Sequence, residues 1–531
     1  MSEAAMSPES PHGAGGYVLD TAYLYELYAD HSPVHLNAVA AFAGARPRPL
    51  EAGTTWCDVG CGNGVSALAI AAALPQVAVI GVDLNPRHIA FARGIAEAAG
   101  LTNARFLEGD HAALPAGAVP PLDFAVLHGV LSWVDGPTRE RLLDRVLADL
   151  KPGGLLMASY DALPGWAAQK VMRDMMVAVT RDVEGGSLGR ARAALDWLRR
   201  MKAGGATFFR DNPALGRLVD DLRDDQLPYI AHEYLNAGLW PFAFAQVNEA
   251  LAARGASFVG RTEMFLNIAD LAAPEALHDE LTGAASRAEF EARRDFVRNE
   301  GFRRDVYVKG AGLDDLAAWE AAMDAQRLAV TEPLAGLDRD VAFGGVRVSF
   351  TGPPFDAALD YWETHPGHPL PDLPGETARE VARLLLAARL VDPVAPAPGA
   401  ALPDAAAAAR LAGGRLSLPL PFNRVACTRL SAVAPRVPLA APALGAVVDV
   451  GAVDALLLMG LAEAGRSEAP RWTVRAMAAA GREMQHDGRR ASDAEAEALL
   501  DERLDALQAT GRVAKLVQLG ILQPAASAPH A

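Results

Sequence analysis

Three carboxylates sit at the ends of apolar runs in the first quarter of the chain, where they suit a polar ligand better than a core. Trp56-Cys57-Asp58-Val59 carries the first and breaks at once into alternating glycines, Gly60, Gly62 and Gly64. Residues 77–82 form a second apolar run that ends in Asp83-Leu84, and residues 105–108 read as the next strand, which finishes at Gly109-Asp110. A buried strand, a glycine turn and an alanine-rich helix from Val65 make a cradle in which backbone N–H groups approach a ligand closely. Asp83 follows the glycines by about 20 residues, the separation at which an acid in a dinucleotide-type fold reaches ribose hydroxyls. The pattern is D-x-G-x-G-x-G, not the G-x-G-x-x-G that receives a pyrophosphate. Acids so placed suit a ligand with a cationic amino-acid end, a ribose and an adenine.

Holding these groups on one edge requires alternating strands and helices. Asn85-Pro86 caps a helix that Gly100 ends. Residues 124–128 read as a fourth strand, 138–150 as a helix closing at Lys151-Pro152-Gly153-Gly154, and 155–159 as a fifth strand. Such alternation specifies a parallel sheet covered on both faces, with ligands beyond the carboxyl ends of its strands. His128, Trp133, Tyr160, Asp161 and Trp166 all fall on that edge. A helical insertion follows (167–181, 189–202, 213–222), with Pro164-Gly165 as its expected hinge. A helix over 241–254 and a late strand over 256–265 come next, then a charged helical stretch over 272–334.

With these residues the chain resembles the class I S-adenosylmethionine-dependent methyltransferases. The segments HGVLSWV (128–134), SYDALPGW (159–166), YIAHEYLN (229–236) and GFRRDVYVKG (301–310) narrow the resemblance. They are similar to bacterial methyltransferases that carry a methyltransferase regulatory domain, among them protein-lysine methyltransferases. The similarity covers roughly residues 17–310 and fades beyond, although LPFNR (420–424) still looks familial. The resemblance implies a Rossmann-like, doubly wound α/β sheet with a helical insertion, while the order of helix, Pro-rich linker and helix over 356–390 and 416–522 suggests a separate, mainly α C-terminal domain of winged-helix-like character. The resemblance implies S-adenosyl-L-methionine as cofactor; Cys57 and Cys61 flank the glycine turn without histidine partners, so no metal is expected. Asp58, Gly60, Gly62 and Gly64 would then lie under the methionine part, Asp83 and Leu84 at the ribose, and Asp110 at the adenine amine. At Asp161 many relatives have asparagine after the tyrosine, and a charge there bears on acceptor choice.

The expected organisation is a disordered 1–16, a cofactor-binding core over 17–180, an insertion and regulatory domain over 181–310, a connector over 311–340 and a C-terminal domain over 341–531. That last domain opens on a strand pair around Gly344-Gly345 and holds a Pro/Ala-rich linker near 393–403. The 531 residues are 51% hydrophobic and 21% charged, and they carry a net charge of −16. Such a balance supports large cores and argues against a general nucleic-acid grip. Three cysteines give no disulfide framework, residues 1–16 lack the apolar centre of a leader, and residues 437–461 are too interrupted to span a bilayer. A cytoplasmic location without membrane attachment is expected. The partners expected are a protein or small-molecule methyl acceptor, with a homodimer as the candidate assembly.

Methyl transfer to an amine needs an aromatic, water-poor pocket and a group that takes the proton. Trp133, Tyr160 and Trp166 are candidate walls, Trp133 and Trp166 being equally readable as core anchors. His128 is a candidate proton acceptor, or a hydrogen-bonding partner of adenine or backbone. Tyr25 and Tyr28, three apart, would share a helix face and either cap the cofactor or pack on the sheet. Arg293, Arg294, Arg298, Arg303 and Arg304 read as a solvated helix face paired with Asp295, Glu300 and Asp305. Three functions remain open: a protein N-methyltransferase acting on lysine, a methyltransferase of a small molecule or peptide, and a non-catalytic scaffold of the same fold.

Overall fold

Thr55–Val59 and Leu122–Leu127 are buried at every position, as strands covered on both faces must be. In this computed structural model, which describes residues 18–21, 25, 27–236, 238–312, 315–369, 375–395, 402–486 and 489–525, they are β1 and β4 of a seven-stranded sheet. The others are β2 (Ala78–Asp83), β3 (Ala104–Glu108), β5 (Leu150–Asp161), β6 (Ala256–Arg261) and β7 (Phe302–Lys309), in the order β3-β2-β1-β4-β5-β7-β6. β1 to β5 are parallel, and β7 lies antiparallel between β5 and β6. This is the doubly wound α/β sheet of the Rossmann-like class, with the carboxyl ends of five strands on one edge.

The helices begin where capping side chains are available. Ser32 caps α1 (Pro33–Ala43) and Asn85 caps α3 (Pro86–Ala98). Asp135 caps α5 (Gly136–Asp149), and α2 (Val65–Ala73) and α4 (Val130–Trp133) start at left-handed glycines. After β5 come α6 (Trp166–Val179), α7 (Gly186–Ala203), α8 (Thr207–Asp211), α9 (Pro213–Asp221) and α10 (Leu227–Tyr234), gathered around Met176, Leu195, Leu198 and Ile230. The expected hinge at Pro164-Gly165 is instead tied down. Ala162 N–H donates to the Gly301 carbonyl at 2.9 Å, Leu163 N–H to Phe242 at 2.9 Å and Gly165 N–H to Glu300 at 2.8 Å. The next helix, α11 (Phe244–Ala252), begins later than residue 241.

Two expectations fail within 272–334. Residues Phe302–Lys309 are a strand, not helix, and the arginines nearby are not a solvated face. Along β7 Val306 and Val308 join one core, while Arg303, Asp305 and Tyr307 face the other side with no exposure. The three consecutive charges Arg303, Arg304 and Asp305 hide the two-residue apolar period that marks a strand. Arg303, on β7, reaches Asp295 at 2.6 Å, Glu291 at 2.7 Å and Asp305 at 3.0 Å, and all four side chains are at most 3% exposed. Glu291 and Asp295 come from the helix Arg287–Arg298, which this network fastens to the sheet.

Beyond residue 310 the chain is mainly helical, with short antiparallel pairs. The pair around Gly344-Gly345 is Asp340–Phe343 with Val346–Ser349. Another, Arg436–Ala441 with Ala446–Gly451, covers α2, which explains why α2 is buried along its whole length. Here the C-terminal region and the sheet share one apolar cluster that includes Val34, Leu74, Val437 and Leu439. Ser32 Oγ donates to the Gly445 carbonyl at 2.6 Å, and a Cβ at Gly445 would lie 2.6 Å from Val34 and 2.9 Å from Leu74. The expected disordered 1–16 lies outside the described residues, as do residues 396–401 of the expected linker. No helix among the described residues is long and apolar enough to cross a membrane.

Arg303→Met leaves the Glu291, Asp295 and Asp305 carboxylates without their shared cation. A buried charge stripped of its partner costs about 3–5 kcal/mol. A clear drop in the urea midpoint is therefore expected, and a loss worth under about 1 kcal/mol would contradict the network's role.

Candidate cofactor and acceptor site

The glycine turn is stitched to the neighbouring strand. Gly60 and Cys61 N–H groups donate to the Val82 carbonyl at 2.8 and 3.0 Å, and Gly62 N–H donates to Asp83 Oδ2 at 2.8 Å. The other oxygen of Asp83 accepts from Asn85 N–H at 2.8 Å and lies 3.1 Å from His88 Nδ1. Gly60 has a φ of +84°, and a Cβ there would lie 2.5 Å from Val130. Only glycine serves at that point.

Two adjoining cavities open along this edge and share Gly60, His128 and Trp133. The smaller, of about 110 Å³, is bounded by Asp83, Leu84 and Asp110 with apolar Val82, Val130 and Leu142. Asp110 Oδ1 is partly engaged, accepting from Ala112 N–H at 3.0 Å. The larger, of about 310 Å³, has Asp58 and Gly62 on its floor and Tyr28 over it. Asp161, Tyr229, Glu233 and Arg304 face it from the side. Asp58 is 4% exposed, and its Oδ1 has no hydrogen-bond partner among the described residues. Burial, and then the charge of Asp83, pushes its carboxyl up to about 7.

His128 stands where the cavities meet. Its Nδ1 is 3.0 Å from Ser159 Oγ, which accepts from Gly129 N–H at 2.8 Å. Its ring lies 3.9 Å from that of Tyr28 and 4.8 Å from that of His31. Burial pushes His128 down to about 4, so the imidazole is neutral at physiological pH. Tyr28 does not share a helix face with Tyr25. It is extended, with φ −123° and ψ 97°, and its N–H donates to Ser66 Oγ at 3.0 Å, which fixes the ring over the cavity.

Two expected wall residues are elsewhere. Successive side chains of a strand point to opposite faces, so with Asp161 at the cavity Tyr160 must turn away. Tyr160 is fully buried and donates from its hydroxyl to Asp305 Oδ2 at 2.6 Å. Trp166 is 7% exposed, stacks on Tyr234 at 6.3 Å and belongs to the core of the insertion. Trp133, half-buried, does line both cavities.

Sequence reasoning missed Glu233 and Tyr229, although both lie in the quoted YIAHEYLN. Four apart on α10, they share a helix face, and that spacing was the available signal. Asp161 Oδ2 has no hydrogen-bond partner among the described residues, and burial, then the Glu233 charge, pushes its carboxyl well above the usual range. His31, Phe302 and Arg304 were also missed as cavity residues. Arg304 lies 2.9 Å from Asp30 and 2.9 Å from Glu263, so its charge is neutralised at the wall.

Residues 57–154 match the family model described as a methyltransferase domain, and residues 226–309 the model described as a predicted methyltransferase regulatory domain. An uncharacterized protein of Synechocystis sp. is 32% identical over 295 residues, which are 56% of this chain and 58% of that protein's length. A trans-aconitate 2-methyltransferase of Methylobacterium nodulans is 35% identical over 108 residues, 20% of this chain and 38% of that one. The structure of PKMT2 from Rickettsia typhi matches 95% of this chain and 100% of its own with a TM-score of 0.69 at 17% identity, a likeness of fold. PKMT2 has also been solved in complex with AdoHcy, with the same TM-score of 0.69. Strand order, glycine turn and the two domain matches converge: residues 57–154 form a methyltransferase domain with the features of the class I S-adenosylmethionine-dependent enzymes, and residues 226–309 match the methyltransferase regulatory domain.

Proposed function

We propose that the protein methylates an amine nitrogen, specifically the side chain of lysine in a protein substrate. The observation that carries this reading is the pair of carboxylates, Asp161 and Glu233, on a cavity ringed by Tyr28, Trp133 and Tyr229. A lysine arrives as an ammonium, which carboxylates and aromatic faces both attract. The same surroundings oppose an anionic acceptor such as the polycarboxylate trans-aconitate. The fold-wide likeness to PKMT2, which has been solved with AdoHcy, supports a methyl-transfer reading of the site.

In this reading S-adenosylmethionine supplies an electrophilic methyl group on a sulfonium when bound. Asp58 with Gly60 and Gly62 holds the cationic amino-acid end, and Gly64 opens the helix behind them. Asp83 and Leu84 hold the ribose, and Asp110 the adenine end. His128, neutral, hydrogen-bonds at the junction. Asp161 and Glu233 bind the incoming ammonium and take its proton, since two carboxylates facing one cavity favour sharing one. Tyr28 and Trp133 exclude water from the reacting nitrogen.

The charge of Asp58 gives this reading a pH dependence. A bound cation favours the ionised carboxylate, so affinity for S-adenosylmethionine should rise with pH up to about 7 and then level off. Below that the loss approaches tenfold per unit, the limit for one proton. Calorimetric titrations across pH 5.5–8 should show this slope, and Asp58→Asn should flatten it; an equal slope in the variant would remove Asp58 from the cofactor site. Glu233→Gln should leave AdoHcy affinity within about twofold yet raise the KM for the protein acceptor. A rise of roughly ten- to hundredfold corresponds to losing one charged hydrogen bond of about 1.5–3 kcal/mol. An unchanged KM would take Glu233 out of acceptor binding. Incubation of the protein with labelled S-adenosylmethionine and a cell lysate should put label on lysine in protein bands. Label only in small molecules would favour the second function, and none at all the scaffold.

A further inference from the structure

Behind the wall of the acceptor cavity lies another, also of about 310 Å³, built where the sheet domain meets the C-terminal region. His35 of α1, the loop after β6, the strand Asp340–Phe343 and the end of the helix Gly375–Ala387 all contribute to it. Arg304 lines both cavities. One part of the wall is apolar, with Phe265 and Phe343 in ring contact at 5.0 Å beside Val341 and Leu386, and the rest carries polar and charged side chains. Of the charged groups on this cavity, Glu263 and Arg304 are ion-paired, and Asp392 is held by a neutral hydroxyl alone among the described residues. Glu263 is taken by Arg304 at 2.9 Å and by Arg261 at 3.3 Å, and Asp392 accepts from Thr331 Oγ1 at 2.5 Å. Arg389 differs: it lies exposed at the rim, and its guanidinium forms no hydrogen bond or ion pair with a described residue.

The backbone at Arg389 strengthens the point. Its φ is +56°, in the left-handed region, just past the end of a helix where glycine is usual. A bulky side chain in that conformation is unfavourable, and such strain concentrates at ligand clamps. A chamber with an apolar part and, at its mouth, a cation without an ion-pair partner among the described residues suits an anion with an apolar body, because the body meets the apolar wall and the head meets the guanidinium.

We propose that this cavity is a second ligand site, for a small amphipathic monoanion of the carboxylate class, with Arg389 holding its head group. The probe is 1-anilinonaphthalene-8-sulfonate, titrated by fluorescence into the full chain saturated with AdoHcy, so that the cofactor cavities are closed to it. Saturable binding is expected, displaced by octanoate and not by octylamine. Arg389→Gly suits a φ of +56° and so does not threaten the fold; it should weaken the octanoate competition at least fivefold while thermal stability holds or rises. Ala342→Trp, at an exposed lining position, should block probe binding by filling the chamber. AdoHcy affinity should stay within twofold in both variants, which separates this site from the proposed methyltransferase function. Probe binding unaltered in both variants, or octylamine competing as well as octanoate, overturns the proposal.

Discussion

Asp83 holds the site together through a carboxylate that accepts N–H groups from two directions. One oxygen takes Gly62 of the glycine turn and the other takes Asn85 at the start of α3. A turn of alternating glycines would otherwise be the loosest backbone on the sheet edge, because glycine gives up the most conformational freedom when it is ordered. Tied to the end of β2, the turn becomes a rigid floor, and the cavities on either side of Gly60 acquire fixed shapes. Hydrogen bonds to an ionised acceptor are stronger than neutral ones, which suits a tie that has to outlast ligand exchange.

A second constraint acts from the far side of the sheet. β7 carries Arg303 and Asp305 into the interior, where Glu291 and Asp295 meet them, and Tyr160 closes the network through its hydroxyl. Because Tyr160 is held on that face, Asp161 is delivered to the cavity. Strand parity thus turns a buried charge cluster into a device for aiming one carboxylate. The same strand brings Arg304 to the wall between the acceptor cavity and the chamber behind it, so the C-terminal region and the sheet meet at a residue that both cavities feel.

Much of this was legible in the sequence. Strand, glycine turn and helix are local signals, and the acids at 58, 83 and 110 stand at run ends that periodicity alone locates. β7 was not legible, since Arg303, Arg304 and Asp305 place three charges in a row where a strand is expected to alternate. The choice between Tyr160 and Asp161 was closed to sequence reasoning as well, because a shift of one residue exchanges the two faces of a strand. Glu233 and Tyr229 announced a shared helix face by their spacing. Nothing local, however, shows that α10 folds back over the sheet edge; that placement depends on long-range packing of α10 against α6 and α7, which is not written into any short window.

The most direct measurement is a crystal structure of the protein with AdoHcy. The account predicts density for the nucleoside in the chamber bounded by Asp83, Leu84 and Asp110, with the amino group of the ligand beside Asp58 and its sulfur near His128. A nucleoside bound elsewhere, or one running in the opposite direction with its adenine against Asp58, would contradict the account.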